Sequence, residues 1–325
     1  MTIRDFGRLK KKLSLLNETQ REECVSELTG RSSGSDVNGI PASISQVRME
    51  RCPHCQHDRL WKWGYAGDLQ RWRCRGCSKT FNALTQTPLA RLRKKEKWID
   101  MAKAMIAGES VRETARKCSI HRNTGFRWRH RFLEFQRKAQ SKDLSGIAES
   151  DTTYFRLSEK GSKTLQRKPR RRGKDRFGKR RDFVAVITLR DRSGKGADRV
   201  TTGKQKEIAE TLYRTHLRPD ALLLTDGSYP LCQAARSRNP NAHEALTGNK
   251  SRGRKSSPYH LQTNNAFHAH LKAWMMRFRG VATKYLPNYV GWHRHLFDKT
   301  HQNDPDSFIA LSFNPLGIHQ QLTMT

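Results

Sequence analysis

The sequence predicts a multidomain chain: two small basic modules on the N-terminal side, then a larger α/β domain. Three observations carry this. Two cysteine pairs stand at metal-ligand spacing between residues 52 and 77. A basic stretch from 91 to 136 has helical periodicity with a capping signal at its centre. From Gly146 onward, short apolar runs alternate with amphipathic ones.

Composition narrows the partners first. The 325 residues carry 64 Lys and Arg against 30 Asp and Glu, a formal net charge of +34, with 35% hydrophobic residues. That is a folded chain whose self-repulsion a polyanion must relieve, and nucleic acid is the polyanion expected. A scaffold-like ribosomal protein fits the charge equally well at this stage. No apolar run approaches the ~20 residues needed to span a bilayer, and Met1-Thr-Ile-Arg-Asp5 lacks a signal-peptide apolar region. Seven cysteines is an odd number, and four of them are metal-spaced, which points to a reducing compartment.

Residues 1–45 read as a helical arm. Asn17-Glu-Thr-Gln20 serves as a capping box, Gly30 is the stop, and a Ser-rich loop follows. Residues 46–90 hold the most specific signal. Cys52-Pro-His-Cys55 and Cys74-Arg-Gly-Cys77 are separated by 18 residues and offer four thiolates to one tetrahedral Zn2+. Leu60–Trp63 and Leu69–Arg73 read as two strands between the pairs, so the module is a zinc ribbon. Its metal is structural, because the segment is too short to bury a core without it. His54 and His57 are left outside the filled ligand set. Trp61, Trp63 and Trp72 either cover the metal or join the nearby arginines in contacting phosphate.

Residues 91–140 read as three helices. Glu96 to Ala107 puts Trp98, Met101, Ala102, Met105 and Ile106 on one side. Ser110-Val-Arg-Glu113 is a capping box opening a short helix, with Cys118 in its core. After a tight turn, His121 opens a basic helix. This is helix-turn-helix patterning, and His121, Arg122, Asn123 and Arg127 are the side chains its second helix presents to DNA. A purely structural trihelix is the bland alternative.

A polar hinge at 137–147 leads into the third domain, residues 146–298, with a polar tail from 299 to 325. Gly146–Phe155 reads as a strand carrying Asp151. From Lys160 to Arg181 there are twelve Lys or Arg and one acid, Asp175. This run, with Arg170, Arg171 and Arg172 at its centre, is either a solvated charge run or a clamp on a DNA backbone, and its place after the Asp151 strand favours the clamp. Phe183–Leu189 is a core strand, Asp191 to Asp198 a turn, and Val200 the start of another strand. Lys204–Leu217 is an amphipathic helix, and Ala221–Thr225 a strand ending at Asp226. Three strands, a helix, a strand and further helices is the order of an RNase H-like fold. That order brings Asp226 towards Asp151. A second basic loop spans Gly248 to Pro258. In the helix after it Asn265, His268 and Lys272 recur at three and then four residues, so one polar face can look into the same site. Tyr285–Asn288 is a turn, and Val290–Phe297 a last short helix.

Taken together, the chain resembles a bacterial insertion-sequence transposase with a zinc ribbon, a helix-turn-helix and a DDE-type catalytic domain. It is similar to the branch whose third acidic position is Asn. Besides the modules above, the segments carrying this are Thr80–Thr85, Thr87–Arg91, Glu149–Phe155, Asn264–Phe267 and Gly291-Trp292. The resemblance implies Asp151 and Asp226 as the two catalytic aspartates, Asn265 in the place of Glu, and Lys272 as the basic residue two turns on. It implies phosphoryl transfer with two Mg2+ or Mn2+ ions held by Asp151, Asp226 and Asn265. Its DNA partners would be terminal inverted repeats and target DNA, bound by a homo-oligomer in the bacterial cytoplasm on the nucleoid. No P-loop motif is present, so no ATP is expected. The competing class is a DNA-binding regulator of transposase descent without catalysis. An RNA-processing protein is disfavoured by the helix-turn-helix.

Overall fold

The computed structural model describes residues 49–67, 69–165, 182–247, 258–298 and 304–313. The N-terminal arm, Arg170, Arg171, Arg172, the second basic loop from Gly248 to Ser257 and most of the tail lie outside the described residues.

The ribbon forms as expected, with one strand more. Strands β1 (Leu60–Ala66) and β2 (Leu69–Cys74) are an antiparallel hairpin, and β3 (Thr80–Phe81) adds to β2. Leu60 pairs with Cys74, so the hairpin delivers the second cysteine pair back to the first. The core here is small: Cys52, Cys74 and Phe81, with Leu60, Trp72 and Cys77 packed on it.

Three helices follow: α1 (Trp98–Ile106), α2 (Val111–Lys117) and α3 (Arg122–Lys138). The Ser110 hydroxyl accepts the Glu113 N–H at 3.3 Å, which is the cap its spacing predicts. His121 caps α3 in the same way, its Nδ1 accepting the Asn123 N–H at 3.2 Å. Trp98, Met101, Met105, Trp128, Phe132 and Leu133 fill the interior. Cys118 is fully buried there, and burial pushes its thiol up to about 11, so it packs and does not react.

The C-terminal domain is a five-stranded mixed sheet in the order β6-β5-β4-β7-β8. Strand β4 (Ile147–Arg156) is central. It pairs antiparallel with β5 (Phe183–Asp191) and parallel with β7 (Leu222–Thr225). Strand β6 (Gly196–Thr201) begins four residues before Val200, where the sequence pattern starts. The turn is shorter because Asp191 Oδ1 accepts the Ser193 and Lys195 N–H groups, both at 3.0 Å. Strand β8 (His243–Ala245) was not anticipated, since three residues are too few to show a period.

Helices cover both faces. Helices α4 (Gln205–His216) and α5 (Tyr229–Arg238) pack on Ala148, Ile187 and Leu189. Helix α6 (Gln262–Met276) covers the other face, with Phe267 and Leu271 against Val184 and Val186. Helix α7 (Leu286–Phe297) begins where the sequence suggested a turn, because Pro287 falls in its first turn, where a missing N–H costs nothing.

The helix-turn-helix and the C-terminal domain share one core. Trp98 and Phe132 belong to the same cluster as Phe267, Trp274 and Trp292. Trp292 donates its indole N–H to Met105 O at 3.1 Å. A Cβ on Gly291 would lie 2.7 Å from the Arg137 Cα, so glycine lets α7 and α3 touch backbone to backbone. Helix α8 (Pro305–Phe313) closes the joint, burying Phe308 and Ile309. The expected hinge is held too: Leu144 is buried and Gln140 donates to Asp198 O.

Candidate metal centres and nucleic-acid interface

The four cysteines converge. Their sulfurs lie within 4.8 Å of one another, with Cys52–Cys77 at 3.7 Å and Cys55–Cys74 at 3.5 Å. A tetrahedral ion with Zn–S bonds of about 2.3 Å needs sulfurs about 3.8 Å apart, so the cage already has the size of its metal. The knuckle N–H groups of His54 and Gly76 point at Cys52 Sγ and Cys74 Sγ, at 3.4 and 3.2 Å, and would stabilise thiolates. Trp72 packs on this cluster. Trp61 and Trp63 do not: they are 42% and 45% exposed, with the Arg75 and Arg73 guanidinium groups over their rings. They form an outward aromatic and cationic face.

On the helix-turn-helix, His121, Arg122, Asn123 and Arg127 are all exposed along the start of α3. Arg122 and Asn123 also line a cleft of about 750 Å³ whose far wall is Lys160, Arg277 and Arg279. The recognition helix therefore faces the C-terminal domain across a cationic gap.

Asp151 lies on β4 and Asp226 follows β7. Ser150 is level with Thr225 in the parallel register, so the next residue on each chain segment is a carboxylate, and the two sit where β7 ends beside the middle of the central strand β4. Each has one oxygen already held by backbone: Asp151 Oδ1 accepts the Thr152 N–H at 2.6 Å, and Asp226 Oδ1 the Ser228 N–H at 3.0 Å. The second oxygen of each is left for another partner. Gly227, at φ +80°, makes the tight exit from β7 possible, and a Cβ there would lie 2.5 Å from the Thr247 methyl. Beneath them the buried Tyr213 hydroxyl donates to Ser150 Oγ at 2.8 Å. Burial raises the Tyr213 phenol, and the nearby Asp226 and Asp151 carboxylates raise it further.

Helix α6 covers this part of the sheet face. The side chains it turns inward are Asn264 and His268, one turn apart, both buried. Asn265 and Lys272 are exposed on the adjoining flank. Among the described residues no hydrogen bond or ion pair joins them to Asp151 or Asp226. His268 Nδ1 instead stands 3.4 Å from Asp151 Oδ2. Nor do Asp151, Asp226 and His268 close up as tightly as the four thiols do.

Glu149 is the residue the sequence reading passed over. It is fully buried two positions before Asp151, on the same face of β4. Its Oε2 accepts the Asn264 backbone N–H at 2.8 Å, one of the orphan donors of the α6 N-terminus. Its Oε1 pairs with Arg192 at 2.6 Å, and its backbone O accepts the Asn264 amide at 2.8 Å. The strand pair Glu149 and Asp151 is thus read by the helix pair Asn264 and His268. Strand alternation could have flagged Glu149; its partners lie 115 residues away.

Residues 143–293 match the family model of the ISXO2-like transposase domain, and residues 89–139 that of a homeodomain-like domain. No curated protein matches the chain.

Proposed function

We propose that this chain, in which an ISXO2-like transposase domain match follows a homeodomain-like one, is an insertion-sequence transposase that binds the terminal inverted repeats of its element and catalyses metal-dependent strand cleavage and strand transfer. The observation that carries this is the parallel register in which Asp151 and Asp226 are the residues that follow the paired Ser150 and Thr225, on the part of the sheet covered by α6. The strand order, with the first strand central and the fourth beside it, supports an RNase H-like catalytic domain.

In this reading Asp151 and Asp226 hold two Mg2+ or Mn2+ ions through their free oxygens, and Asn265 adds a neutral amide oxygen from the exposed flank of α6. Hard oxygen donors suit these ions. The ions, when bound, supply activation of the attacking oxygen and neutralise charge on the leaving one. The protein's own part is positioning. Backbone N–H groups of Thr152 and Ser228 fix the carboxylates, Glu149 fixes the start of α6, and Lys272 holds a phosphate near the cut.

His121, Arg122, Asn123 and Arg127 contact the element end, and Arg170, Arg171 and Arg172 clamp backbone without reading bases. The modules at 46–90, 91–140 and 146–298 act on one DNA end together, as a homo-oligomer on the bacterial nucleoid and without ATP.

The test is cleavage of element-end DNA with Mg2+ or Mn2+. Asp151→Asn and Asp226→Asn should each abolish it and leave end binding nearly unchanged. Asn265→Ala should cost roughly 10²-fold or more, the scale for losing a positioned transition-state group. Cleavage at the unmutated rate by the Asp151→Asn protein would refute the active site. Binding without cleavage by the unmutated chain would make it a regulator.

A further inference from the structure

His268 poses a problem of proton bookkeeping. Thr188 Oγ1 lies 2.8 Å from His268 Nε2, 2.8 Å from Asn264 Oδ1 and 3.1 Å from Asp151 O. A threonine hydroxyl has one proton to give. The Asn264 amide is not free to flip, because its Nδ2 donates to Glu149 O at 2.8 Å. Its oxygen therefore faces Thr188, and the hydroxyl proton goes to the two carbonyl acceptors, Asn264 Oδ1 at 2.8 Å and Asp151 O at 3.1 Å, which have no other donor between them and Thr188. The Thr188 oxygen is then an acceptor towards His268, so Nε2 carries the ring proton.

With Nε2 protonated, Nδ1 is the nitrogen that can offer a lone pair, and it faces Asp151 Oδ2 at 3.4 Å. Asp151 Oδ1 is engaged by the Thr152 N–H, so Oδ2 is the free oxygen. Two electron-pair donors are held against each other in a pocket where His268 is 7% exposed. Such a pair is costly unless a cation lies against both. Adjacent ligands of an octahedral ion with bonds of about 2.1 Å stand roughly 3 Å apart, close to the observed separation.

We infer that His268 offers Nδ1 to a divalent cation bound by Asp151, and that Thr188, Asn264 and Glu149 hold the ring in the tautomer that frees this nitrogen. The inference rests on the metal-dependent reading above and adds a nitrogen ligand to a set otherwise made of oxygens. It also gives Glu149 a task at the site: it anchors Asn264, which sets the Thr188 proton, which sets the ring. Such outer partners commonly govern metal affinity 10–100-fold. A nitrogen donor favours Mn2+ over Mg2+ more than an all-oxygen set does.

The experiment uses the full-length, zinc-loaded protein with Mn2+ as the probe. Electron spin-echo spectra of the bound Mn2+, on protein carrying 15N-histidine, report an imidazole nitrogen in the ligand sphere directly and without mutation. The expected result is a coupling that disappears in His268→Asn and in Asp151→Asn. Mn2+ affinity should fall about 10–100-fold in His268→Ala, with a narrowed Mn2+ over Mg2+ preference, and fall in Thr188→Val, which keeps the imidazole but loses its proton partner. Mn2+ bound in an Asp151-dependent way with no imidazole coupling would overturn the His268 assignment and leave the Asp151 site standing. That is also the result if His268 is an imidazolium paired with Asp151. Absence of any Asp151-dependent Mn2+ binding would overturn both.

Discussion

Two histidines, His293 buried and His130 half-buried, weaken this protein in acid. His293 is enclosed by Phe267, Trp274 and Phe297, beside the Arg190 guanidinium. Burial first, and that cation second, push it down to about 3. His130 stacks on Tyr285 and is pushed down to about 4 by burial and then by Arg129. Both fold in the neutral form. Below pH ~6.5 the unfolded chain takes up protons at these rings that the folded chain refuses, so stability falls with falling pH. The contribution is complete above ~6.5 and is lost through about 4 for His130 and towards about 3 for His293. Each can supply a slope of up to about 1.4 kcal/mol per pH unit in that window. Melting temperatures between pH 7 and pH 4 check this. His293→Phe, similar in volume and without a titrating ring, should flatten the decline, and an unchanged slope would remove His293 from the account.

At the scale of the element, the ribbon has little but its metal to hold it. Around the thiols only Cys52, Cys74 and Phe81 are buried, Leu69 of β2 joins the helices' core, and thiols drawn together in pairs at 3.5 and 3.7 Å have no reason to stay there without an ion. Purified protein should contain about one Zn per chain. Chelation, or Cys74→Ser or Cys77→Ser, should unfold β1 to β3 while α1 to α3 remain, because those helices share only Leu69 of the three strands and take the rest of their core from elsewhere. Near-zero zinc in protein purified without chelator would sink this, as would a ribbon that keeps its amide protection after chelation.

The whole molecule binds as one cationic body. The helix-turn-helix and the helices of the C-terminal domain share a core, so Arg122 and Asn123 stay opposite Arg277 and Arg279 across their cleft. With a net charge of +34, DNA affinity should fall steeply and linearly in log K against log salt. Neutralising Arg170, Arg171 and Arg172 together should lower that slope by up to about 2.7 and weaken all sequences alike. A loss confined to terminal-repeat DNA would instead make these residues base readers.

What the sequence by itself determined is everything encoded locally. The Cys-x-x-Cys spacing defined the thiolate cage, the Ser110 cap and the His121 start set the helix-turn-helix, and short apolar runs located the strand that carries Asp151 and the one that leads into Asp226. These signals are legible because a cap, a knuckle or a strand period is complete within a few residues. Helical spacing also put Asn265, His268 and Lys272 on one side of α6, but not which part of that side meets the sheet. Only the tertiary structure decided that Asn264 and His268 turn inward, that Glu149 caps α6 from β4, and that Gly291 presses on Arg137. Those contacts join residues more than a hundred positions apart, and a contact made by packing leaves no period in the chain that makes it.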